Sequence, residues 1–148
     1  IEQLKNKFQK FGVVNHINFL DVRRYPHKKD HMNVYQSIDL ALDTFPYNGV
    51  TTTFEALWMG VPVLVLKGFN FNSKCGFSII KNSNHTSLIS DNIDEYIEKA
   101  IYFYENREEF IKFKKDLFNN ILRTPLFDTK SFSKNFSNLL LNLKKNYK

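Results

Sequence analysis

"DTFPYNGVTTTFEALWMGVPVLVL", Asp43 to Leu66, reads as the end of a strand, a turn, a short helix and a second, buried strand. The run before it, "IDLALD" (Ile38 to Asp43), is compact, apolar and ends on a carboxylate. After the turn "FPYNG", the segment from Thr51 to Met59 sets Phe54, Leu57 and Trp58 on one side, and Gly60 with Pro62 stops it. "VPVLVL" (Val61 to Leu66) is apolar on both faces, which suits a parallel strand covered by helices on either side.

Upstream, Ile1, Leu4, Phe8 and Phe11 recur at near-helical spacing and Gly12 stops the pattern. "VVNHINFL" (Val13 to Leu20) is rich in β-branched residues and predicts a strand, followed by the polar loop "DVRRYPHKK". Asp30 is placed to cap a short helix from His31 to about Ser37. Downstream come the loop "GFNFNSK", a helix from Ser73 to about Lys81 and a short strand "TSLIS". Three amphipathic helices close the chain, marked by Ile93 to Tyr104, Phe110 to Ile121 and Phe132 to Tyr147. "TPLFD" separates the last two, with Asp128 or Ser131 as candidate caps. Strands alternating with helices predict an α/β fold with a right-handed, doubly wound parallel sheet and C-terminal helices. In such sheets the binding crevice lies outside the carboxyl ends of the strands, which puts the Asp43–Leu66 stretch at the crevice.

A length of 148 residues accommodates one core, so a single domain over 1–148 is expected. No stretch approaches a membrane span and the start lacks the apolar centre of a signal peptide. A single cysteine, Cys75, excludes an internal disulfide and a Cys-cluster zinc site. These features together predict a cytoplasmic protein. The net charge of +6 raises the question of nucleic acid, but residues 31–90 balance at three basic against three acidic, and many of the remaining cations share helical patterns with acids, as in "NREEFIKFKKD". Solvated helix faces explain this distribution, and no nucleic-acid partner is expected. His16, His27 and His85 show no metal-ligand spacing with Cys75 or with paired carboxylates, so no metal and no cofactor are predicted.

Thr51, Thr52 and Thr53 follow Gly49, which lets the chain turn sharply, and they open a helix whose first amides lack intrahelical partners. That end attracts an anion, and hydroxyls beside it can donate to phosphate oxygens. The plainer alternative is that one threonine caps the helix and the others pack. Glu55 has two readings too: a capping-box partner of Thr52, or an acceptor for the hydroxyls of a ribose.

"IDLALDTFPYNGVTTTFEALWMGVPVLVL", with "TPLFDTKSF" after it, closely resembles the C-terminal catalytic lobe of the O-linked N-acetylglucosamine transferase and Spindly-type protein glycosyltransferases, from about Gly12 to the C-terminus. The resemblance rests on the string Asp-Thr, Asn-Gly-x-Thr-Thr and Leu-Trp-x-Gly-x-Pro. It implies the C-terminal, Rossmann-like half of a GT-B fold, and a lobe that holds a nucleotide sugar such as UDP-N-acetylglucosamine. It further implies inverting, metal-independent transfer to a protein or glycan acceptor. By resemblance, Thr51 and Thr52 contact the donor diphosphate, with Thr53, Asn48 and Gly49 around them. Glu55 holds the ribose, His31 lies at the nucleotide and Lys28 beside the base. Two residues depart from the family: Val50 stands where many members have histidine, and Val34 where they often have arginine. The chain is accordingly expected to be a piece of a longer transferase whose N-terminal lobe, supplying the acceptor residues, acts in cis. No catalytic base is assignable. A scaffold lobe without turnover, or another sugar-nucleotide enzyme such as an epimerase, are the alternatives.

Overall fold

The computed structural model describes residues 1–20 and 28–146. The chain divides into two compact units, Ile1–Asn33 and Val34–Lys148.

In the first unit, helix α1 (Glu2–Lys10) ends at Phe11, and Gly12 takes φ +71°, a left-handed conformation that glycine adopts without a side-chain penalty. Phe8 packs against Phe19 at a centroid distance of 6.5 Å. The strand expected over Val13–Leu20 does not form; Val14–His16 is a 3₁₀ turn and Ile17 is extended but unpaired. A strand needs a neighbour to take its ladder bonds, and among the described residues of this unit none runs beside it. Helix α2 (Lys28–Asn33) starts before the expected His31, so Asp30 lies inside it rather than at its cap. The loop expected over residues 21–29 falls mostly outside the described residues.

The second unit begins with a 3₁₀ turn, Val34–Ser37, and contains a parallel sheet of order β1-β2-β3, built from Ala41–Leu42, Val63–Leu66 and Ile89–Ser90. Between the strands lie α3 (Thr51–Trp58) and α4 (Cys75–Asn82); α5 (Ile93–Glu105), α6 (Arg107–Asn120) and α7 (Thr129–Asn146) follow. All four residues of β2 are buried, as its apolar run requires in a central parallel strand. Leu57, Val61, Ile80, Leu88, Leu117 and Ile121 pack around it from α3, α4, α6 and the connecting turns. Each such side chain contributes about 1.5–3 kcal/mol by leaving water.

β1 is shorter than "IDLALD" suggests because the first half of the run is bound elsewhere. Lys114 on α6 donates to the Ile38 carbonyl and to Asp39, both at 3.1 Å, while the ladder to β2 begins only at Ala41. The amide of Asp43 still donates to the Leu64 carbonyl at 2.9 Å, fixing the strand's carboxyl end. β3 is likewise trimmed to two residues by a 3₁₀ turn, Thr86–Leu88. Asn92 caps α5 by accepting from the Glu95 amide at 2.9 Å, and Glu95 reaches back to the Asp91 amide at 2.8 Å. At α7, Asp128 takes the capping role, accepting from the Ser131 amide at 3.0 Å. Gly60, after α3, has φ +75° and lies where a Cβ would come within 2.6 Å of the Phe118 ring.

Candidate functional site

The carboxyl end of β1 and the amino end of α3 meet across the loop 44–50, in which the Phe45–Pro46 peptide is cis. Between them opens a cleft of about 210 Å³, lined among others by Tyr35, Asp43, Thr44, Gly49, Thr52 and Thr53. This is the crevice position expected of a parallel α/β sheet.

The mouth of α3 is not capped by a threonine. Val50 occupies the cap position, no side chain accepts from the first turn, and the first intrahelical bond runs from the Phe54 amide to the Val50 carbonyl. The amides of Thr51, Thr52 and Thr53 therefore precede the helix ladder, and together with the helix dipole they give this end a partial positive charge. Thr51 and Thr52 are exposed, whereas Thr53 is buried at 3% exposure with its side chain on the cleft wall. Gly49 lets the loop approach closely: a Cβ there would lie 2.5 Å from the Thr52 hydroxyl oxygen and 2.9 Å from that of Thr53.

Glu55, one turn into α3, does not complete a capping box with Thr52. Its carboxylate accepts from the Tyr35 hydroxyl at 3.2 Å, and the same hydroxyl reaches the Thr52 carbonyl at 3.4 Å. Burial, and then the Glu55 charge and hydrogen bond, push the Tyr35 phenol up to about 12. Tyr35, which lines the cleft, donates a neutral hydroxyl to Glu55; Glu55 and Thr51 are not among the lining residues.

Asn48 is 1% exposed and its amide is committed inside the protein. Its Nδ2 donates to the Thr44 carbonyl at 2.9 Å and its Oδ1 accepts from the Gly76 amide at 3.2 Å, in the first turn of α4. Asn48 thus braces the loop from behind. Lys28 and His31 lie on α2, in the first unit. The second unit brings together Gly49, Thr51, Thr52, Thr53 and Glu55. To these it adds Asp43, Thr44 and Tyr35, which the sequence did not single out as site residues. Asp43 had a signal, a carboxylate closing an apolar strand; Tyr35 had none.

A larger hollow of about 420 Å³ lies by Met59, Gly60 and Phe118, at the other end of α3. There the helix presents carbonyls, which disfavour an anion, while Lys114 and Lys115 also line the hollow and favour one. Among the described residues no group of three or more His, Cys, Asp or Glu is arranged to hold a metal ion, and no helix is long and apolar enough to cross a membrane.

A parallel α/β lobe with a glycine loop and a hydroxyl-bearing helix mouth at its carboxyl edge defines a class of open-sheet folds with a crevice at the strand ends. Comparison with known proteins narrows this class. Residues 2–136 match glycosyl transferase family 41, and the chain belongs to that family. A tomato (Solanum lycopersicum) protein described as a probable UDP-N-acetylglucosamine–peptide N-acetylglucosaminyltransferase SPINDLY is 34% identical over 118 residues, 80% of this chain. A probable enzyme of the same description from Arabidopsis thaliana, SEC, is 31% identical over 73% of the chain. Among solved structures, a mutant O-GlcNAc transferase from Thermobaculum terrenum superposes with a TM-score of 0.82 at 29% identity over 94% of the chain. The chain spans 13% of the tomato protein's length and 26% of the solved transferase's. Its α/β architecture is thus the GT-B type of O-GlcNAc transferase.

Proposed function

We propose that this chain is the donor-binding lobe of a glycosyltransferase that uses a nucleotide sugar, UDP-N-acetylglucosamine or a relative. One observation carries the reading: the amino end of α3 opens onto the cleft with no side chain capping it and with Thr51 and Thr52 exposed beside its leading amides. A diphosphate seated there would take hydrogen bonds from amides and hydroxyls already held in place, so charge developing on the leaving nucleotide diphosphate is stabilised without reorganisation. Those donors do the work a divalent cation does elsewhere, which supports metal-independent transfer; for inversion at the anomeric carbon the support is the family resemblance. Glu55, oriented by Tyr35, accepts from the ribose hydroxyls. Gly49 gives the phosphates close access, and Asn48 supports the loop from the buried side. For Lys28 and His31 at the base, the support is the family resemblance. The acceptor, a protein or glycan, is held by a second lobe of the longer protein, and the reaction is cytoplasmic.

Calorimetry and melting with UDP, GDP and ADP test the proposal. A native-state ligand at a hundredfold excess over its Kd adds about 2.7 kcal/mol, which shifts the melting temperature visibly. UDP is expected to shift it most, equally with and without EDTA. Thr52→Val keeps the shape and removes a donor to a charged group, so UDP affinity should fall about tenfold with little change in melting of the free chain. A chain indifferent to all three nucleotides would instead support the scaffold reading, which the apolar Val50 at the helix cap favours.

A further inference from the structure

Asp43 stands where β1 enters the site loop, and its two carboxylate oxygens have different surroundings. Oδ1 accepts from the Gly49 amide at 2.8 Å and from the Thr44 amide at 2.9 Å. Oδ2 is buried with no hydrogen-bond partner. It is wedged against the start of α4, where a Cβ on Gly76 would fall 2.3 Å from it and 2.9 Å from Val65 Cγ1. From α5, the Tyr96 hydroxyl donates to the Asp43 carbonyl at 3.0 Å. The carboxyl group is therefore held by the sheet, α4, α5 and its own loop.

Leaving a buried carboxylate oxygen unpaired costs free energy that a neutral residue at a strand end would not incur. The other oxygen points to what the cost secures. Gly49, bonded to Oδ1, is the residue whose α-carbon sits against the hydroxyls of Thr52 and Thr53. A continuous line of contacts runs from the carboxylate through Gly49 to the helix mouth.

We propose that Asp43 is a positioning residue of the α3 anion site: through Oδ1 it holds Gly49 against Thr52 and Thr53 and so sets where the helix presents its donors. The inference rests on the donor-lobe reading. It also explains how a carboxylate can border a diphosphate site. Two amides bond to Oδ1 and Oδ2 faces the protein interior, so neither oxygen is turned toward the ligand.

Two variants and one spectroscopic measurement, on the full 148-residue chain, test this. Asp43→Asn retains an oxygen acceptor for the two amides, while Asp43→Ala removes it. Both are expected to melt lower than the parent, since one buries an unpaired amide and the other a void. UDP affinity should fall more than about tenfold in Asp43→Ala and less than about threefold in Asp43→Asn. In the ligand-free ¹⁵N-labelled chain, the Gly49 and Thr44 amide protons should titrate together in acid with one midpoint, absent in Asp43→Asn. Tyr96, the titratable group facing Asp43 from α5, stays neutral throughout that range. An Asp43→Ala chain that binds UDP as the parent does, or an Asp43→Asn chain that loses as much as Asp43→Ala, would overturn the proposal. A parent chain that binds no UDP would fail the donor-lobe reading instead; the amide titration then decides alone, a Gly49 proton unresponsive to acid counting against Asp43.

Discussion

Gly49 has no Cβ at a point where one would lie 2.5 Å from the Thr52 hydroxyl oxygen and 3.4 Å from Asp43 Oδ1. Gly49→Ala must therefore push the loop or the helix mouth apart. Overpacking of this kind costs about 1–3 kcal/mol, and here the strain falls on the site, so UDP affinity should drop more than it does in Thr52→Val. Titration calorimetry on the two variants compares them. Three groups give a pH signature: Asp43 and Tyr35, which line the cleft, and Tyr96, which bonds to the Asp43 carbonyl. Burial pushes the Asp43 carboxyl up against the opposing pull of the Gly49 and Thr44 amides, and it pushes the Tyr35 and Tyr96 phenols up to about 12. A raised folded value means the fold favours the neutral form. The stability from Asp43 is then full below the ordinary aspartate range and is lost as pH rises through the folded value. The melting advantage of the parent over Asp43→Asn should accordingly shrink as pH rises from the ordinary aspartate range, about 4. For the two tyrosines the loss falls between about pH 10 and pH 12. Absorbance at the tyrosinate band, read in the parent, Tyr35→Phe and Tyr96→Phe, should show these two phenols ionising after the exposed ones. Ionisation in step with the exposed tyrosines would contradict the burial described here.

At the scale of elements, β2 and the helices other than α2, which starts before the expected His31, were legible because each carries its own signal. "VPVLVL" is buried at every position, and the amphipathic periods of α5 and α6 match helices bounded within a few residues. The strand expected over Val13–Leu20 failed because β propensity needs a ladder partner, which lies outside the segment itself. α7 was legible as a helix but not in its packing: Phe132, Phe136, Leu139 and Leu140 are half or more exposed. The site was legible where neighbours in sequence make it, in Gly49 and the threonines. It was not legible where residues meet across the fold. Tyr35 reaches Glu55 over 20 positions, Tyr96 reaches Asp43 over 53, and Asn48 takes up the Gly76 amide over 28. This last bond couples two elements that sequence reading treats as separate, since it caps α4 from the loop that feeds α3. Asn48→Ala removes it and leaves the buried Gly76 amide without its acceptor, a loss of about 1–3 kcal/mol. Urea unfolding should show that loss in its midpoint with an unchanged slope, and exchange of the Gly76 amide should accelerate beyond the global change. Equal acceleration across all of α4 would mean that Asn48 supports the fold as a whole rather than this helix end.

Across the whole molecule, the charge distribution decides how an anion is attracted. The chain carries +6, yet residues 31–90, which contain the entire α3 site, carry equal numbers of basic and acidic side chains. Among the described residues, the ion pairs of the second unit take up Lys67 with Asp91 at 3.0 Å, Lys99 with Glu95 at 2.8 Å, and Lys114 and Arg107 with Asp39 at 3.1 and 3.8 Å, while Lys112, Lys115, Lys130, Lys134, Lys144 and Lys145 lie on α6 and α7, later in the chain than α3. Exposed pairs of this kind contribute little to stability, about 0–1 kcal/mol, and cancel only their own cations' share of a long-range field. On the donor-lobe reading, attraction at the helix mouth comes from amides and hydroxyls within contact distance, inside the roughly 8–10 Å over which salt screens. Raising salt from about 50 to 200 mM should accordingly weaken UDP binding by no more than a few-fold, where a protein gripping six to ten nucleic-acid phosphates through Lys and Arg would lose about a thousandfold or more. Calorimetry across that range, with duplex DNA as competitor, measures both. A steep salt dependence together with displacement of UDP by DNA would return the excess cations to the centre of the binding problem and remove the helix mouth from it.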